Sequence, residues 1–152
     1  MLAVFSARAS ESELTPLPAL QRLVDRLDPK HVDGVGLAYI STQSAALFTV
    51  LAEYAKDQKG DETINLSGHF RKCAADFGLV ARYLTLRERT QELSVRDEQQ
   101  YDLEAVYRQE IARHRSLGLG AFPPWVRADH TAAMEIYPAA ETIAEFVRSS
   151  FK

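Results

Sequence analysis

Apolar positions recur along this chain at intervals of three and four residues, the spacing of one helical face. The longest such stripe is Leu66, Phe70, Cys73, Phe77, Val80 and Leu84, with steps of 4, 3, 4, 3 and 4. It predicts a helix over Ser67–Glu92 that packs lengthwise along another helix. Gly78 weakens that helix by up to about 1 kcal/mol. Upstream, SESELTPLPALQRLVDRLDP reads as a helix capped by Thr15, with Pro16 in its first turn and Leu20, Leu23, Val24 and Leu27 as its stripe. Pro29 stops it. TQSAALFTVLAEYAKDQKG reads as a second helix, with Ala46, Leu47, Val50, Leu51 and Tyr54 inward and Gly60 as its stop. Downstream, Ser94-Val-Arg-Asp97 has the form of a capping box, and Leu103, Val106, Tyr107, Ile111 and His114 share the face that follows. The short connection predicts that this helix and the one before it form an antiparallel hairpin. GLGAFPPWVRAD, with two glycines and two prolines, reads as a loop. From Thr131 the pattern is helical again, with Ala140, Ile143, Val147 and Phe151 as its stripe, and Pro138 either kinks that helix or starts a new one.

Two stretches break the helical rhythm. Met1–Phe5 is short and β-compatible. VDGVGLAYIS sets Leu37, Tyr39 and Ile40 behind Gly34 and Gly36, which read as turn and strand-entry residues. The expected architecture is mainly α: one domain over 1–152, a helical bundle of about five helices with one or two short strands near the N-terminal third.

Composition narrows the classes. With 46% hydrophobic and 26% charged residues, the chain suits a globular fold that buries a core without staples. A net charge of -3 argues against a dedicated nucleic-acid binder. Arg82, Arg87, Arg89, Arg96, Arg108, Arg113, Arg115 and Arg127 crowd the second half, but Glu88, Glu92, Asp97, Glu98, Asp102, Glu104 and Glu110 interleave with them. Mixed signs of that kind suit a solvated or partner-facing surface. The single cysteine, Cys73, allows no internal disulfide and fits a reducing compartment. MLAVFSARAS lacks the basic start and long apolar run of a secretory signal. No run approaches the roughly 18 apolar residues of a membrane span. The expectation is a cytoplasmic protein that binds neither nucleic acid nor membrane.

The densest chemistry lies in LSGHFRKCAADFGL. His69, Lys72 and Asp76 are spaced three and four apart, so they share a flank beside the apolar stripe. His69, Lys72, Ala74, Ala75 and Gly78 together resemble the core pattern of the histidine phosphotransfer domains, with Cys73 where that family usually has glycine. Gly78 falls one residue early, about 100° around the helix. The resemblance implies a four-helix bundle in which His69 accepts a phosphoryl group and Lys72 neutralises it. An alternative set for a metal ion is His69, Cys73 and Asp76, at i, i+4 and i+7; a closed zinc site wants four ligands, and no CxxC or HExxH spacing exists. Length, helicity and Phe48 ahead of His69 loosely resemble a globin, but no histidine between His69 and His114 supplies a proximal ligand. Neither haem nor another cofactor is expected. MLAVFSA and HVDGVGLAYIS resemble the opening of glutamine amidotransferases with an N-terminal nucleophile; Leu2 stands where that chemistry needs cysteine, so the activity is excluded. Glu110 and His114, with Glu104 on a nearby face, miss the Glu-x-x-His spacing of di-iron bundles by one residue. Glu110 reads instead as a helical charge partner of Arg113 or His114.

FPPWV is the other candidate. Its rigid prolines display Phe122 and Trp125 for binding, with Arg82 and Arg89 as planar, bidentate partners for an anionic group; alternatively Trp125 closes one end of the core. With no complete catalytic set, the leading expectation is a non-catalytic helical binding or regulatory module. It would contact another protein or itself as a homodimer, and an uncovered face of the 66–84 stripe would mark the interface. The alternatives are phosphotransfer through His69 and a small-molecule or metal-binding helical sensor.

Overall fold

Among the described residues every regular element is helical. The computed structural model describes residues 15–27, 34–56, 61–89 and 91–150, the side chains of 61–65 excepted. The helices are α1 (Leu20–Asp25), α2 (Gly34–Lys56), α3 (Asp61–Glu88), α4 (Leu93–Ser116) and α5 (Pro124–Ser150). The expectations for a strand at Met1–Phe5, for the stops at Pro29 and Gly60, and for Phe151 fall outside the described residues.

The bundle is organised around α2, which touches all four other helices. Eight consecutive residues, Ser41 to Phe48, are buried, so α2 is enclosed on every side rather than on one stripe. Length and composition alone would let α2 cross a membrane; in this fold 78% of that apolar window is inside the protein. The sequence reading missed so apolar a run because Ser41, Thr42, Gln43 and Ser44 interrupt it, and all four are buried.

That enclosure also corrects the expected second strand. Leu37, Tyr39 and Ile40 lie in the first two turns of α2, and Gly34 and Gly36 are helical residues. Two glycines cost about 1 kcal/mol each in a helix. Burial of Leu37, Ala38 and Ile40 against the bundle outweighs that cost, at roughly 1.5–3 kcal/mol for a large aliphatic side chain.

α3 runs back along α2. Ser67 Oγ donates to the Ala52 carbonyl at one end, and Glu88 folds over Gly34 at the other. Between them Phe48 stacks on Phe77 at 5.8 Å and tilts against Phe70. Phe70, Cys73, Phe77, Val80 and Leu84 are buried as their spacing predicts, while Leu66 is 44% exposed. From Phe70 to Leu84 the stripe is therefore covered within one chain, and Leu66 at its start is open.

The α3–α4 hairpin differs from expectation. The two helices meet near their turn, where Arg82 grips Asp97 and Arg96 Nε donates to Thr85 Oγ1. Beyond it α4 packs on α2 rather than on α3. Nor does a capping box start α4. Glu92 occupies the cap position without a side-chain bond, and the Asp97 carboxylate is taken by Arg82 at 2.7 Å. Arg89, with φ of 52°, ends α3 in the left-handed conformation.

α1 is shorter than its pattern suggested. Pro16 and Pro18 lie ahead of it in non-helical chain, and Ala19 rather than Thr15 holds the cap position. α5 is longer. It starts at Pro124, in the first-turn position that suits proline, so Trp125 to Asp129 are helical rather than loop. It continues through Pro138, which faces solvent.

Candidate functional site

The residues singled out around His69 fall into two groups. His69 is exposed at the edge of α3, as its flank position predicts. Asp76 is fully buried, so the flank it shares with His69 and Lys72 does not stay at the surface along its length. One turn of α3 thus brings Asp76 under α5. Tyr137 Oη donates to Asp76 Oδ2 at 2.5 Å, and Lys72 Nζ donates to the same oxygen at 3.0 Å. Arg148 Nη1 lies 2.7 Å from Oδ1, a charge contact whose N–H is not aimed at the oxygen. Lys72 also donates to Tyr137 Oη at 2.8 Å and to Glu141 Oε2 at 2.5 Å.

Charge explains the titration of this knot. Burial alone would raise the Asp76 pKa, but Tyr137, Lys72 and Arg148 outweigh it and hold it below 3.8. Glu141, Tyr137 and Asp76 keep Lys72 firmly charged. Burial pushes the Cys73 thiol up to about 11, so at neutral pH it is a protonated core side chain rather than a nucleophile. Its Sγ lies 3.6 Å from His69 Nε2. Asp76 faces Lys72, Tyr137 and Arg148 rather than completing a triad with His69 and Cys73. Among the described residues no group of three His, Cys, Asp or Glu side chains is placed to hold a metal ion. The knot bolts α3 to α5.

A second buried carboxylate escaped the sequence reading. Asp129 is 2% exposed. Its Oδ1 accepts the Leu20 backbone N–H at 3.0 Å, and its Oδ2 accepts the Tyr107 hydroxyl at 2.7 Å. Gln43 Nε2 approaches Oδ2 at 3.5 Å, while donating to Tyr107 Oη at 3.1 Å and to the Pro18 carbonyl at 2.9 Å. Asp129 therefore ties α1, α2 and α4 to α5. Burial raises its pKa from 3.8 to about 6, against the pull of those donors. The available signal was its place on the face of Val126, Ala132, Ala133 and Tyr137, all buried.

Phe122, Trp125, Arg82 and Arg89 are not brought together. Arg82 and Arg89 lie by the α3–α4 turn; Phe122 and Trp125 lie beyond the far end of α4. Arg82 is engaged by Asp97, and Arg89 is exposed. Trp125 stacks on buried Tyr107 with ring centres 5.6 Å apart. Phe122 meets Tyr54 edge-on, and the Arg115 guanidinium covers both rings while its Nε donates to the Ala121 carbonyl. Glu110 pairs with Arg113.

At this α4–α5 corner, backbone bonds from Gly118 to Arg115 and from Leu119 to His114 close α4 in a Schellman turn, with Gly118 at φ of 70°. The turn throws Leu117 and Leu119 outward, 61% and 64% exposed. Between them and Trp125, Pro123 and Pro124 lies a cleft of about 170 Å³, flanked by Glu110, Arg113 and His114. Comparison with known proteins finds no matching family model, no matching curated protein and no matching solved structure.

Proposed function

We propose that this chain is a non-catalytic helical interaction module, that its contact surface is the α4–α5 corner, and that its partner there is a second copy of itself. The observation that carries the reading is the pairing, on one small patch, of two outward leucines with an open cleft beside Trp125. A two-fold interface uses the same patch on both copies, so the patch must supply both knob and hole. Leu117 and Leu119 are the knobs. A cavity of roughly 150 Å³ takes up benzene, so a cleft of about 170 Å³ admits one apolar side chain. It is smaller than the roughly 300–1,000 Å³ of ordinary small-molecule sites. The rim is self-complementary as well, with Glu110 and Arg113 side by side.

The polar clusters support the same reading from the other side. Asp76, Lys72 and Tyr137 are committed to one another, as are Asp129, Tyr107 and Gln43. For phosphotransfer through His69 the local charge is adverse, since Glu141 and Asp76 already hold Lys72.

Sedimentation velocity over a concentration series tests the proposal, with emission from the sole tryptophan, Trp125, as an independent reporter. The wild type is expected to dimerise with a blue shift of that emission. Leu117→Asp/Leu119→Asp removes at least about 3 kcal/mol of apolar burial per interface, weakening Kd by about a hundredfold or more. A wild type that stays monomeric throughout, or a variant that dimerises equally well, refutes it.

A further inference from the structure

α1 is held to the bundle by groups that come from other helices. Its cap residue, Ala19, has no side-chain acceptor. Asp129 of α5 takes the Leu20 N–H instead, from 109 residues away, and Gln43 of α2 donates to the Pro18 carbonyl. The Leu20 side chain is wholly buried, whereas Leu23, Val24 and Leu27 are only partly so. The socket thus grips two main-chain groups and one leucine.

That socket is costly to leave empty. Asp129 and Gln43 are 2% and 0% exposed. Without α1, Asp129 Oδ1 loses its donor and Gln43 Nε2 loses an acceptor, while Gln43 Oε1 already lacks a hydrogen-bond partner among the described residues. A buried charge stripped of a partner is strongly unfavourable, so an opened socket refills. The α1 of another copy carries the same carbonyl, N–H and leucine. It fills the site with the same contacts, which is the condition for exchanging an element between copies.

We infer that the Gln43–Tyr107–Asp129 socket accepts the Pro18–Asp25 segment in trans as well as in cis, so that two copies exchange α1. This uses residues other than the corner leucines and stands or falls separately from pairing at the corner.

Gln21 on α1 is half-buried and Glu135 on α5 exposed, and their side chains are hydrogen-bonded at the surface at 3.2 Å, which places a cross-link. One chain carries Gln21→Cys and a second, isotopically heavy chain carries Glu135→Cys, both in the Leu117→Asp/Leu119→Asp background. They are mixed and treated with a short bis-maleimide; Cys73 is buried. A covalent light–heavy dimer is expected to accumulate with incubation. Adding Leu20→Asp to the donor chain abolishes it without changing the donor's reaction with a mono-maleimide. The Gln21→Cys/Glu135→Cys double variant links within one chain and reports normal docking. The inference is overturned if the double variant links internally while the mixture yields no light–heavy dimer, or if Leu20→Asp leaves that dimer undiminished.

Discussion

Asp129→Asn removes a charge from the middle of the fold while keeping the side chain's shape. Burial lifts the Asp129 pKa from 3.8 to about 6, the donors from Leu20, Tyr107 and Gln43 notwithstanding. A carboxyl whose folded pKa lies above its unfolded value favours the native state while protonated. Its stabilising contribution is therefore full below about pH 4 and is lost as the pH rises through about 6. The gap of about two pH units, at about 1.4 kcal/mol each, amounts to about 3 kcal/mol. Asparagine is neutral throughout and shows none of this. Urea unfolding of both proteins, followed by circular dichroism between about pH 4 and about pH 7, isolates the effect. Other groups titrate alike in the two chains and cancel on subtraction. The wild-type stability minus the variant's is expected to fall by about 3 kcal/mol across that range. A difference that stays flat, or rises, refutes the argument that burial outweighs the hydrogen bonds at this carboxylate.

The other buried aspartate has the opposite sign. Asp76 is held below 3.8, so its contribution is present above that value and fades as the pH falls through its lower folded pKa. Tyr137→Phe removes its 2.5 Å donor and is expected to cost about 1–3 kcal/mol in thermal unfolding at neutral pH; an unchanged melting temperature would show that the α3–α5 knot is idle. Gly78→Ala is expected to stabilise by up to about 1 kcal/mol in urea titration, because nothing lies within 4 Å of the added methyl; a loss of stability would contradict that open surface.

The two aspartates mark where sequence reading stops. Both occupy helices rich in apolar residues, and position along a helix gives each a face. It does not give the neighbour that face meets. Lys72 and Asp76 share one flank of α3 by their spacing, yet α5 covers Asp76 and leaves Lys72 half-exposed. The glycines and prolines ahead of Asp129 predict a loop, yet Pro124 opens α5 in the position where a missing N–H is harmless. Leu119 lies in the same loop pattern and Leu117 just ahead of it, and only the Schellman turn turns them both to solvent.

Periodicity alone determined the helical class and the buried face of α3: Phe70, Cys73, Phe77, Val80 and Leu84 repeat at the helical interval, and any partner helix would cover them. It also marked the inward residues Leu103, Tyr107 and Ile111 of α4. Those are local facts, set by 3.6 residues per turn. The placement of α2 at the centre was decided only by tertiary structure. Wrapped on all sides, the first half of α2 shows no stripe, so Leu37, Tyr39 and Ile40 read as a strand, and the burial of Ser41 to Ser44 leaves no signature in the pattern. The socket around Asp129 was likewise invisible, since Gln43, Tyr107 and Asp129 are brought together across 86 residues of chain. Burial in a particular place depends on which helices surround it, and that is a property of the packed whole.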